Sequence, residues 1–385
     1  MPLPGHEQVP APAPQVCPAD APVRQFAVSA IEVALPMLGG QNGKIYVLDG
    51  QRDAVASGRQ APEPLVLHAN VGDCLHVSLT NATTEGPVTY HCDLLAADPA
   101  TSGGVAAGND PPQSVAAGQS GTFTYYASPE VGETVAMVRD FGDVLTNPGV
   151  GLYGAIVVGA KGTTYHGDGW QVDAFPPSGA PYRDVSLLFQ DEDEAIGTHR
   201  MPYATAVKGT VGINYRAAPI NERLGQPEDP SGVYRTDRSG DPPTPLIEAF
   251  AGDPLRIHVL APWSEQAQVF AIEGHDWPIE PAHTGTNVVG SIGIGGLEAI
   301  TIEPRGGAGG LARVPGDYLY GDSRLPYREA GLWGVLRVHP AGSSVPGLAP
   351  LRTSRSTRWA VWVVAALVIA AGVLLIARSR RTRRQ

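Results

Sequence analysis

Cysteine is the scarcest chemistry in this 385-residue chain, with Cys17, Cys74 and Cys92 the only three. So few thiols exclude a disulfide-framed miniature fold and any multi-thiolate metal cluster. They leave two readings of Cys74 and Cys92: a disulfide formed outside the cell with Cys17 unpaired, or two buried thiols on strands. Helical periodicity is scarce as well. The 47 Gly and 36 Pro divide the sequence into short segments, which favours many turns over long helices. No phosphate loop or nucleophile elbow occurs. The tract GSIGIGGLE at 290–298 is rich in Gly, but it leads into a strand with no helical pattern behind it and reads as a turn. Basic charge is short over most of the chain. Residues 341–385 hold eight Arg and no acidic residue, so only 19 basic side chains face 38 acidic ones in residues 1–340. A surface that acidic excludes a nucleic-acid partner.

The N-terminus lacks an apolar run. Residues 1–22, MPLPGHEQVPAPAPQVCPADAP, form a Pro-rich linker and not an export signal. The C-terminus differs. From Trp359 to Ala377 there are 19 residues without a charge, long enough to cross a bilayer core of about 30 Å. Arg378, Arg380, Arg381, Arg383 and Arg384 come after it, against Arg352, Arg355 and Arg358 before. The positive-inside rule puts the 378–385 tail in the cytoplasm and the rest outside a cell membrane, single-pass. Outward domains without a signal leave two readings, a misplaced start or the C-terminal portion of a longer exported protein, and the linker character of residues 1–22 favours the second.

Between the linker and the membrane run the sequence repeats itself. LYGAIVV (152–158) matches LWGVLRV (332–338), and Gly72-Asp73 in PLVLHANVGDCLHVSL matches Gly252-Asp253 in PLIEAFAGDPLRIHVL, always 180 residues apart. Separated matches at one offset indicate an internal duplication. Within residues 23–160, segments 26–33, 44–48, 64–69, 74–81, 87–95, 121–127, 134–138 and 152–158 are short, β-branched or aromatic, and partly alternating. Eight such strands predict a Greek-key sandwich. The predicted organisation is all-β: domains at 23–160 and 161–340, a linker at 341–358, and a transmembrane helix at 359–377.

These segments resemble the cupredoxin (plastocyanin-like) domains of the multicopper oxidases. VGDCLHVSLTN, VAAGQSGTFTYYA and GLYGAIVV occur in the order of such a domain. VFAIEGHDWP and EAGLWGVLRV look like its terminal copy. The resemblance covers roughly residues 23–340 and implies copper as cofactor. It implies a type 1 copper on two His and a Cys thiolate, plus a trinuclear cluster on HxH, HxxHxHGH and HCHxxxH motifs that reduces dioxygen.

The ligands themselves are replaced. Around Tyr90-His91-Cys92-Asp93 only His91 remains, and counting back from Gly151-Leu152 puts Phe141, Asp143 and Asn147 at the next ligand positions. In the second copy Gln268, Ala271 and Glu273 stand where His is expected, leaving His275. Counting back from Gly331-Leu332 puts Gly321, Asp322, Ser323 and Tyr327 at the HCHxxxH positions. His91 and His275 are therefore the remaining metal-ligand candidates, and His275 with Glu273 and Asp276 would make a mixed site. The alternative for His275 is a structural hydrogen bond. Arg139-Asp140 reads as a salt bridge bracing the vacated loop, or with Asp143, Asp98 and Asn109 as a pocket lining. The acidic run 191–194 reads as a solvated turn, with a divalent-cation site as the alternative.

Taken together, these features describe a membrane-anchored, extracytoplasmic, multicopper-oxidase-like protein that does not hold copper by itself. On one reading it is the copper-poor part of a larger oxidase of a metal ion or small reductant. Its copper-bearing domains would then lie upstream or on a partner chain, which includes a second copy in a homo-oligomer. On the other reading it is a copper-free scaffold or binding module.

Overall fold

The computed structural model describes residues 16–192, 209–281 and 283–351. The described residues up to Ala349 form one compact unit. The predicted membrane segment at 359–377 lies outside the described residues. Among those described, no helix is long and apolar enough to cross a membrane.

The first half carries eight strands: β1 (Val23–Ala34), β2 (Asn42–Leu48), β3 (Leu65–Asn70), β4 (Cys74–Asn81), β5 (His91–Cys92), β6 (Ser120–Tyr126), β7 (Thr134–Arg139) and β8 (Tyr153–Gly159). They form two sheets, ordered β2-β1-β4-β6 and β3-β8-β7-β5. The chain crosses repeatedly between them, so neighbours in sequence often lie in opposite sheets. Alternation drives the packing. In β4, Leu75, Val77 and Leu79 enter the core with Tyr46, Phe123 and Ile156 from the other strands, while the side chains between them point away.

That parity corrects one expectation. Cys92 lies in the first core, whereas Cys74, one residue before Leu75, lies on the outer face of the opposite sheet, so the two cannot bond. Cys74 is instead bonded to Cys17, just upstream of β1, whose Val23 pairs with Cys74. Cys92 is the free, buried thiol.

The second half adds β9 (Thr164–His166), β10 (Gln171–Phe175), β11 (Tyr182–Asp191), β12 (Val211–Ile213), β13 (Leu246–Phe250), β14 (Leu255–Ser264), β15 (Gln268–Ile272), β16 (Trp277–Pro278), β17 (Val288–Val289), β18 (Ser291–Ile294), β19 (Ala299–Ile302), β20 (Gly316–Asp322) and β21 (Trp333–His339). Its main sheets run β19-β14-β11-β10-β9 and β13-β21-β20-β15-β18 around a core of Phe189, Phe270, Trp277 and Tyr320. Part of the 290–298 tract, expected as a turn, is strand β18, paired to β15. The helices α1 (Arg52–Ala56), α2 (Thr236–Ser239) and α3 (Leu325–Ala330) are short turns in connections.

The two sandwiches repeat one another in register. Parallel β1 and β4 place Arg24 beside Leu75, and parallel β11 and β14 place Arg183 beside Leu255. In each copy that Arg pairs with the Asp of the Gly-Asp turn, Asp73 or Asp253. A third apolar cluster, including Met137, Tyr153, Leu188, Tyr215 and Leu260, joins the outer faces of the two sandwiches. Inside this joint sit Asp184 and His258, 3.1 Å apart and almost wholly buried. Burial pushes the Asp184 carboxyl up, and the attraction of His258 outweighs it, so the group ends below its ordinary value.

The Cys17–Cys74 bond closes a long segment, its ends 57 positions apart. Replacing both by Ser is expected to lower stability by about 2–4 kcal/mol, read by urea unfolding. Thiol titration should find one free group, Cys92, that reacts only after unfolding.

Candidate functional site

The strands that would hold copper end in two loops, one after β7 and one after β20. In the first, His91 is brought to the loop but both of its nitrogens are engaged. Nδ1 donates to the Gly103 carbonyl at 2.6 Å, and Nε2 faces the Asp93 carboxylate at 2.8 Å. Phe141 packs edge-on against the ring. Arg139 also reaches Asp93, at 3.0 Å, in place of the expected bridge to Asp140. Burial raises the Asp93 carboxyl, but its bonds to His91 and Arg139 prevail and hold it below the usual range.

Asp140 has a different set of partners. It is buried, with Oδ1 accepting from the Thr89 N–H at 2.6 Å. Its Oδ2 accepts from Gly142 N–H, Asp143 N–H and Asn147 Nδ2, at 2.9, 3.1 and 2.9 Å. Burial still pushes its carboxyl above the ordinary value. A single side chain thus ties the segment leading into β5 to the turn after β7.

Asp322 does the same in the second copy. Its Oδ1 accepts from Val269 N–H at 3.0 Å and Arg324 N–H at 2.8 Å. Strand pairing makes the equivalence explicit. His91 pairs with Arg139, which pairs with Tyr153, just as Ala271 pairs with Gly321, which pairs with Trp333. Asp140 and Asp322 each come next. The connection from Arg139 to Tyr153 is two residues longer than that from Gly321 to Trp333. Counting back from the Gly-Leu pairs at a constant offset therefore misplaces the first loop and hides Asp140 as the partner of Asp322.

Gln268, at an expected ligand position, donates from Nε2 to Asp191 Oδ1 at 2.6 Å. Asp191 also accepts from Ser264, and Glu192 accepts from Trp263 Nε1 at 2.8 Å. Both acids are buried, which corrects the expectation of a solvated turn at this end of the run; positions 193–194 lie outside the described residues. Tyr327 is packed in the second core. His275 donates from Nδ1 to the Glu273 carbonyl at 2.8 Å and accepts from Gly309 N–H on Nε2 at 3.1 Å. Burial lowers its pKa, in keeping with a neutral ring locked in one tautomer. Asp276 is paired with Arg305 and does not join it.

This donor set does not fit copper. A type 1 centre needs a thiolate, and its place is held by Asp322. The free thiol, Cys92, points into the first core, where burial raises its pKa well above the ordinary value. Among the described residues no three of His, Cys, Asp and Glu form a group that could hold a metal ion.

Asp191 gives the site a pH dependence. Burial, the largest influence, raises its pKa from 3.8 to about 6. A folded pKa above the unfolded one contributes stability that is full below the unfolded value and is lost as pH rises through the folded one. Chemical denaturation across about pH 4 to pH 7 should show a loss of about 3 kcal/mol from this group, and Asp191→Asn should remove that slope.

No family sequence profile and no curated protein sequence matches the chain. Solved structures do. The fold is similar to a multicopper oxidase at TM-score 0.54 and 18% identity, covering 84% of this chain and 92% of that one. It is similar to the copper nitrite reductase from Nitrosomonas europaea at 0.53 and 15%, covering 86% and 98%. It is also similar to a laccase from Botrytis aclada at 0.51 and 13%, covering 88% of this chain and 56% of the laccase. At these identities the likeness is one of fold, and the fold is cupredoxin-like.

Proposed function

We propose that this chain is a copper-free scaffold on the multicopper oxidase fold, a supporting module and not an oxidase in its own right. The observation that carries the reading is the pair of buried carboxylates, Asp140 and Asp322. Each takes backbone N–H groups where a metal would otherwise knit strand to loop. A ligand set eroded at random would leave those amides unsatisfied, at about 1–3 kcal/mol apiece. Here the loops are held by the chain's own side chains, so the fold no longer depends on a metal. On this reading His91 and His275 are structural, and any copper chemistry belongs to domains upstream or on a partner chain.

The module is membrane-tethered through 359–377, with both sandwiches outside the cytoplasm. The charge asymmetry around that run supports this orientation. The Cys17–Cys74 bond supports it independently, because such bonds persist in oxidising compartments.

Copper loading followed by elemental analysis is the direct test. The expected result is far less than one copper per chain and no intense blue absorption, with unfolding midpoints unchanged by copper or chelator. One tightly held copper per chain would overturn the reading. The tether predicts that the full chain resists an alkaline carbonate wash of membranes, while a chain ending at residue 351 is released. Full release of the intact chain would remove the anchor.

A further inference from the structure

The duplication supplies an internal comparison. In the second sandwich Arg183 is buried, with side-chain exposure of 2%, and every part of its guanidinium is used. Nε donates to Asp253 at 2.9 Å, Nη1 to Asp173 Oδ1 at 2.7 Å, and Nη2 to the Ala349 carbonyl at 2.7 Å. On β13 of the other sheet, Glu248 accepts from His339 at 3.0 Å, and its carbonyl accepts from Gln171 Nε2 at 3.0 Å. Strand, turn and edge are closed by the protein itself.

The first sandwich has the same framework without that closure. Arg24, the counterpart of Arg183, uses Nε on Asp73, and among the described residues its Nη groups meet no acceptor. Its side chain is 35% exposed. His68 is the counterpart of Glu248, since His68 pairs with Val157 and Glu248 with Arg337 at the 180-residue offset. Its ring packs on Tyr165, centroids 4.7 Å apart, and neither nitrogen has a hydrogen-bond partner among the described residues. Between the edge strands β2 and β3, where the second copy is stitched by Gln171, the first copy has a cavity of about 450 Å³ lined by Arg24, Phe26, Leu48, Val66 and His68. That size suits a small organic ligand.

We propose that this cavity binds a small organic monocarboxylate, whose carboxylate takes the place on Arg24 that Asp173 fills on Arg183. Its body lies along Phe26 and Leu48 and packs against the His68 ring. An Arg already holding one Asp can take a second carboxylate, as Arg183 does with Asp173 and Asp253. At the rim Glu63 lies 3.5 Å from Arg216, while Asp168 accepts from the neutral Gln51 Nε2 at 2.6 Å and keeps its charge, so the ligand carboxylate must sit on the Arg24 side of the cavity. Burial lowers the pKa of His68 to about 4, so near neutral pH the ring is uncharged and suits the apolar body of the ligand. The inference does not rest on the scaffold reading, because no copper position is involved.

Benzoate is the probe, with benzamide as its uncharged control, titrated into the purified protein and followed by calorimetry and by nitrogen NMR of the His and Arg side chains. Saturable one-to-one benzoate binding in the millimolar range or tighter is expected. Benzamide should bind about tenfold more weakly or worse, since a charged hydrogen bond is lost. Arg24→Gln should produce a similar loss. If that variant does not fold, the wild-type shift map decides the matter, because the largest perturbations must fall on His68 and Arg24. Equal binding of benzoate and benzamide, perturbations centred elsewhere, or no saturable benzoate binding would each overturn the proposal.

Discussion

A buried carboxylate that accepts backbone N–H groups at the end of the penultimate strand is the constraint on which each sandwich turns. The strand before it must enter the core, and the loop after it must reverse across the open end of the sandwich. Those two demands leave amides pointing inward with no ladder to join. Asp140 collects three of them and Asn147 besides, and Asp322 collects two. A metal with ligands on the same segments would meet the need differently, through side chains that reach one point. The two solutions compete for the same space, so adopting one removes the selective reason for the other's residues.

The joint between the sandwiches has the opposite character. It is mainly apolar, with Tyr153, Leu188, Tyr215 and Leu260 buried across it, and such contact is indifferent to the loop ends. The buried Asp184–His258 pair within it adds little net stability, because desolvation of both groups offsets their attraction. Both residues belong to one sheet, on the neighbouring strands β11 and β14, so the pair does not bridge the joint.

Much of this architecture is legible in the sequence. The 180-residue offset, the short alternating strands and the Gly-Asp turns all reflect local chemistry, and each strand of the first sandwich overlaps an expected segment. What stays hidden depends on facts that sequence does not carry directly. The pairing of Cys17 with Cys74 turns on which face of β4 each residue occupies, and Cys17 precedes any periodic segment that could place it. The roles of Asp140 and Asp322 are masked by the two-residue difference in loop length. Asp191 and Glu192 look solvated in sequence because charge runs usually are, yet β11 continues through Asp191 into the packed end of β14 and β15.

The duplication also shows why loss and gain of function need not be read from ligand motifs alone. Two copies of one framework have diverged under the same backbone constraints, so a position that is closed in one and open in the other is informative in a way that an isolated cavity is not. Arg183 and Glu248 show what the framework requires when it is sealed: a second carboxylate, a carbonyl and an edge stitch. Arg24 and His68 sit in the same places with those partners missing. Arg24, at 35% exposure, keeps its spare donors hydrated, so the open flank carries no large stability cost and its use is decided by whether a ligand binds there.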